Sequence, residues 1–158
     1  MISHLHAAIQ GVLMCGLLLA GCGLVGDATR PNDVKRTSEV VFQAVADGLM
    51  DHVAIDSLEW VPFLPMPLSN GIFEIAGGFA AVFHNGGPNP VGVRYDLRFF
   101  DDEETLVDAF IPFGQPIALE SGQRRVVQGE FILRTSDLYQ IEHLAHMQLV
   151  ARVRYPDE

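Results

Sequence analysis

Between Val91 and Phe99 the chain alternates without interruption: Val91, Val93, Tyr95, Leu97 and Phe99 are apolar, and Gly92, Arg94, Asp96 and Arg98 separate them. A period of two sends these sets to opposite faces of a pleated strand, so the segment predicts a strand buried on one side and wet on the other. Such a strand needs a second layer to cover its apolar face. Neighbouring segments supply candidates. Gly78 to His84 predicts the strand before it, joined through Asn85-Gly86-Gly87-Pro88-Asn89-Pro90, where glycines permit positive φ and prolines deny helix. Asp101 to Glu104 predicts a solvated acidic turn into a strand from Thr105 to Pro112. Glu120-Ser121-Gly122-Gln123 turns the chain into Arg125 to Leu133, and Met147, Leu149, Ala151, Val153 and Tyr155 alternate in a last strand. Earlier, Val53, Ile55, Leu58 and Trp60 form a strand with a slip near Ser57, ended by Pro62, Pro65 and Pro67. Phe79, Phe83, Tyr95 and Phe99 fall on inward positions and predict an aromatic core. The chain is therefore expected to be mainly β, folded as an antiparallel β-sandwich.

Two segments have helical spacing. Val41, Ala44, Val45 and Leu49 follow Thr37 and Ser38, either of which could cap a short helix. Ser136 and Asp137 open a second stretch that runs to about His143.

The amino-terminal region reads differently. An apolar run from about Ala7 ends in Leu19-Ala20-Gly21-Cys22, and small Ala20 and Gly21 suit a peptidase cleft. The tetrapeptide resembles the lipobox of bacterial lipoproteins. That resemblance implies cleavage before Cys22, acylation of its thiol and its new amino group, and stable anchoring by two or three acyl chains. The expected division is a signal peptide over 1–21, a lipidated tether over 22–36 rich in polar residues, and a domain over 37–158. The alternatives are an uncut anchor helix from about Ala7 to Val25, whose length is close to the ~20 residues a bilayer core requires, and a misassigned start codon on a cytosolic chain. Gly23 stands where lipoproteins retained in the inner membrane commonly carry Asp; if the host has two membranes, the resemblance favours the outer one, facing the periplasm.

Ten Lys plus Arg stand against twenty Asp plus Glu, and none of these charges precedes Cys22. A net charge of −10 repels nucleic acid and anionic head groups, and no basic stripe with interleaved aromatics is present. The two cysteines are Cys15, inside the apolar run, and Cys22, so the processed domain would have neither thiol nor disulfide. Thiolate metal sites and a cysteine nucleophile are thereby excluded. No Gly-x-Ser-x-Gly elbow places a serine for catalysis, and the chain is read as no enzyme. The acids Asp101 to Glu104 do not by themselves fold around calcium. His143 and His146 would share a helix face, but the change from helix to strand between them aims the rings apart, and Glu142 is the nearest further ligand. No metal or other cofactor is expected beyond the covalent lipid on Cys22.

Pro62-Phe63-Leu64-Pro65-Met66-Pro67-Leu68 is the stronger candidate. Its prolines cannot donate to a ladder, and its apolar side chains either pack across the sandwich end, burying Phe63 and Leu64, or form an exposed patch of Phe63, Leu64, Met66 and Leu68 that meets a partner.

Phe83-His84-Asn85, then Pro90-Val91, then Val93-Arg94-Tyr95-Asp96-Leu97-Arg98-Phe99-Phe100-Asp101 and a later Ser-Gly turn resemble the Ig-like modules of small bacterial envelope lipoproteins, notably the YcfL-like family, and more distantly FxLYD-type domains. In these an asparagine ends one strand, Pro-Val opens the next and an Asp-x-x-Gly turn follows, which Asp101-Asp102-Glu103-Glu104 replaces here. The resemblance spans about Gly71 to Tyr155 and implies an exported Ig-like domain without transferable catalytic residues. The expected function is that of a lipid-anchored accessory module binding an envelope protein; the alternative is a small-ligand or metal-binding lipoprotein serving a membrane complex.

Overall fold

A computed structural model describes residues 36–49 and 51–156. Leu19, Ala20, Gly21 and Cys22, with the rest of the signal segment and the tether to residue 35, lie outside the described residues. The described chain forms nine strands: β1 (Thr37–Val45), β2 (Val53–Pro62), β3 (Met66–Pro67), β4 (Phe73–Asn85), β5 (Val91–Asp101), β6 (Leu106–Phe110), β7 (Ile117–Leu119), β8 (Arg124–Thr135) and β9 (Leu144–Arg154). One helix, α1 (Leu138–Glu142), precedes β9, with the Asp137 side chain accepting from the Tyr139 amide at its start.

The strands make a β-sandwich. In one sheet the order is β1-β9-β5-β6, with β7 continuing the β6 edge of β5. The other is built on β4, which has β8 along one side and β2 followed by β3 along the other. All pairings are antiparallel except β1 with β9.

The alternation in β5 places Val91, Val93, Tyr95, Leu97 and Phe99 in the core. Phe99 lies 4.5 Å from Phe131 and 5.6 Å from Trp60, and Tyr95 lies 5.2 Å from Phe83. Burial pushes the Tyr95 phenol up to about 12, against a smaller opposing pull from Arg125. Two glycines stand opposite aromatic rings across the β4–β8 ladder, Gly77 buried and Gly129 exposed. Gly77 faces Phe131 and Gly129 faces Phe79, each ring lying over a cross-strand glycine.

β1 corrects the expectation of a helix over this segment. Its inward residues Val40, Phe42 and Val45 are half-buried, and the register slips between Phe42 and Ala44. That bulge breaks the period of two, so apolar residues fall three and four apart and imitate a helix. The slip near Ser57 is also a bulge, between Ile55 and Ser57. β4 begins at Phe73, before the expected Gly78, and β7 was not foreseen.

Side chains complete the backbone where strands stop. Between the parts of β5 paired to β6 and β7, the Tyr95 amide donates to Gln115 Oε1 at 2.7 Å and Gln115 Nε2 donates to the Tyr95 carbonyl at 2.6 Å. Asn85 is fully buried; its Nδ2 donates to the carbonyls of Asn89, Leu119 and Glu120, and its Oδ1 accepts from the Gly87 amide.

The acidic turn after β5 is only partly solvated. Asp101 is buried, and its Oδ1 accepts from the amides of Glu103 at 3.0 Å and Thr105 at 2.8 Å. Glu104 has φ +61°, the left-handed conformation a glycine would hold without strain. Glu104→Gly is expected to stabilise the domain by about 0.5–1 kcal/mol. Urea denaturation checks this: an unchanged or lower midpoint would mean that the strain is offset by contacts of Glu104.

Candidate functional site

The proline-rich loop begins where β2 leaves β4. Pro62 is opposite Gly77, and the Phe63 amide still donates to the Ala76 carbonyl at 2.8 Å. Pro65 then turns the chain so that Met66 and Pro67 rejoin β4 opposite Glu74 and Phe73, and the Leu68 amide donates to the Ile72 carbonyl. Both ends of the excursion are therefore fixed to β4. Its apolar side chains face outward: Phe63 is 54% exposed, Leu64 76%, Met66 52% and Leu68 40%. The half-buried residues are Pro62 and Pro65. Of the two readings of this loop, packing of Phe63 and Leu64 across the sandwich end is thus corrected. Pro62 and Pro65 take the inner positions, while Pro67 is exposed.

Phe63 also borders an open trough of about 580 Å³ on the outer face of the β2-β4-β8 sheet. Outward positions of β4 are small, Ala76, Gly78 and Ala80; Val61 on β2 borders the trough, and Ile132 and Val126 on β8, opposite Ala76 and Val82, are exposed beyond its two ends. Glu59 and Glu130 stand on opposite sides of the trough, paired in register with Ala80 and Gly78. Sequence reasoning missed this face. Its signal is the period of two in Ala76-x-Gly78-x-Ala80, which acquires meaning only once β2 and β8 flank β4. It missed Ile111 and Phe113 too, 72% and 100% exposed in the β6–β7 connection.

The opposite outer face is different, because its polar groups satisfy one another. Asp96 accepts from Arg98 Nε at 3.0 Å and Arg152 Nη1 at 2.6 Å, and Arg152 also donates to Gln43. A hollow of about 650 Å³ at one end includes Thr37, Glu39, Phe100, His146 and Gln148. There Thr37 Oγ1 meets His146 Nδ1 at 2.8 Å, and Gln148 donates to Glu39 at 2.9 Å. His143 points elsewhere, stacked on Tyr139 with ring centroids 3.9 Å apart. The two histidines are not brought together, and among the described residues no three His, Cys, Asp or Glu side chains converge as metal ligands. The Tyr139 hydroxyl donates to Asp102 at 3.1 Å, tying α1 to the acidic turn.

No helix of the described residues is long and apolar enough to cross a membrane. No family model and no curated protein matches the chain. Among solved structures, the crystal structure of Campylobacter jejuni cj0090 is similar at 14% identity and a TM-score of 0.39, covering 75% of this chain and all of that one. The X-ray structure of the structural-genomics target SoR45 is similar at 7% identity and a TM-score of 0.43, covering 54% of this chain and 65% of that one.

Proposed function

We propose that this protein is a lipid-anchored, non-catalytic accessory module of the bacterial envelope that meets a partner protein through the Pro62–Leu68 loop. The reading rests on one observation above all: Phe63, Leu64 and Met66 are more than half exposed on a segment stiffened by prolines and fixed at both ends. Such a loop loses little conformational entropy on binding, and exposed apolar side chains gain from being covered. The lipobox-like Leu19-Ala20-Gly21-Cys22 and the resemblance to envelope lipoprotein modules support the location, with the lipid on Cys22 as anchor and the outer membrane facing the periplasm as the site in a host with two membranes. Anchoring would raise the effective concentration of the loop toward membrane-bound partners.

Crosslinking mass spectrometry in intact cells tests both parts, comparing wild type with Phe63→Glu/Leu64→Glu and with Cys22→Ala. A reproducible protein crosslink that the loop variant abolishes is expected, together with labelled palmitate incorporated by wild type and not by Cys22→Ala. A crosslink untouched by the loop variant would sink the loop as the contact. No palmitate on wild type would sink the anchor.

A further inference from the structure

The outer face of the β2-β4-β8 sheet is unevenly neutralised. At one end Arg134 meets Glu74 at 2.7 Å, and at the other Arg124 meets Asp56 at 3.1 Å, both pairs reaching between strands of this sheet. Its two arginines are thus already engaged. Between them, flanking the apolar trough, Glu59 and Glu130 are exposed and have no ion-pair or hydrogen-bond partner among the described residues. The unpaired acids sit on opposite sides of the floor, Glu59 on β2 and Glu130 on β8.

The floor itself is low because β4 presents Ala76, Gly78 and Ala80 outward. From Ala76 to Val82 it runs about 20 Å at the rise of a strand, and its β2 and β8 sides are about 10 Å apart at the ordinary strand spacing. Those dimensions match an α-helix of about 13 residues, whose diameter with side chains is about 10 Å. A helix with one apolar stripe would place that stripe over the small residues, against Val61, Phe63 and Ile132. Its flanks would then lie beside the two carboxylates.

We infer that this face is a docking site for an amphipathic helix of a partner protein, one carrying lysine or arginine on both sides of its apolar stripe. This rests on the reading of the protein as an interaction module and adds the chemistry of the partner. Charge selects this occupant over the others. A second copy brought face to face would set Glu59 and Glu130 against the same unpaired acids, on a chain of net charge −10. Anionic lipid would meet carboxylates and, among the described residues, no free arginine or lysine on this face.

The test uses the full-length protein and two fluorescein-labelled synthetic helices of about 14 residues, identical in their leucine stripe and flanked by lysine in one and glutamate in the other. Binding is read by anisotropy. The lysine helix is expected to bind, and the glutamate helix to bind at least about tenfold more weakly. Glu59→Gln/Glu130→Gln should weaken the lysine helix about tenfold and flatten its dependence on salt. Gly78→Leu should block it by filling the floor; a Cβ there meets only the Gly129 carbonyl at 3.9 Å, so the outward side has room for the side chain. Cooperative urea unfolding of each variant verifies the fold, and the glutamine pair keeps the test open if Gly78→Leu fails to fold. Equal binding of both helices, indifference to the glutamine pair, or no binding at about 100 µM would each overturn the inference. If the lysine helix fails while the loop-dependent crosslink persists, the interaction module stands and the sheet face falls. If the helix binds and no crosslink depends on the loop, the face stands and the loop falls.

Discussion

Gly77→Ala is expected to destabilise the domain by about 3 kcal/mol, since overpacking a well-filled core costs typically 1–3 kcal/mol and the added methyl has nowhere to go. A Cβ on Gly77 would lie 2.1 Å from Phe131 Cζ and 2.6 Å from the Val61 carbonyl oxygen. The second of these is backbone of the neighbouring strand and yields only if the β2–β4 ladder opens. The first is a ring with no exposed surface, held between Phe99 and Trp60. Moving it disturbs the whole aromatic cluster. Urea unfolding of Gly77→Ala, Phe131→Leu and the double variant measures the coupling. The alanine should cost distinctly less in the Phe131→Leu background, with a remainder from the Val61 carbonyl. A cost below about 1 kcal/mol in the wild-type background would show that the ring moves aside with ease.

Asn85→Ala should be comparably severe, at about 3 kcal/mol, for an opposite reason: it removes atoms that nothing else replaces. One buried amide serves three carbonyls and one N–H. Each buried group left without a partner costs about 1–3 kcal/mol, moderated here by any water that enters the space. The residue joins the β4–β5 turn to the end of β7, so local loosening should reach both. Hydrogen exchange at Gly87 reports it directly, because that amide loses its acceptor. Asn85→Asp separates shape from chemistry. It keeps the outline but turns a carboxylate oxygen toward the carbonyls of Asn89, Leu119 and Glu120, and should be the less stable of the two variants at neutral pH. Burial and those carbonyls raise its folded-state pKa, so part of the stability should return as acidification protonates it and restores a donor. Equal stability of both variants at every pH would show that the carbonyls find water instead.

How far these features were legible depends on whether an interaction is local. β5 could be read because its two faces differ in chemistry at every step from Val91 to Phe99. The kink at Ser57 was legible for the same reason, as a break in an otherwise regular period. In β1 the bulge at Phe42 broke the period within a nine-residue edge strand, and the residues on either side then matched a helix better than a strand. β7 is three residues after Pro116, too few to carry a period at all. The Gly77–Phe131 pair spans sequence-distant strands, and a glycine pair in isolation reads as a turn. The proline-rich loop was legible as a segment, but the direction of Phe63 and Leu64 was not, because it depends on Pro62 and Pro65 taking the inner positions. Glu59 and Glu130 were unremarkable acids until the ladders put them on either side of β4 with both arginines of that face already engaged.

The parallel pairing of β1 with β9 has a consequence in time. Thr37 and His146 are 109 positions apart, and among the described residues β1 is laddered only to β9. A chain delivered amino-terminus first therefore presents β1 long before β9, the strand that receives it. The smaller sheet can assemble as soon as β8 follows β4, but the larger one stays open at the β9 position until β9 itself arrives. Closing so long a loop late makes the last step of folding slow relative to hairpin formation. During that interval Val40, Phe42 and Val45 are uncovered, a window in which a chaperone for extended apolar segments would find this chain and after which it would not.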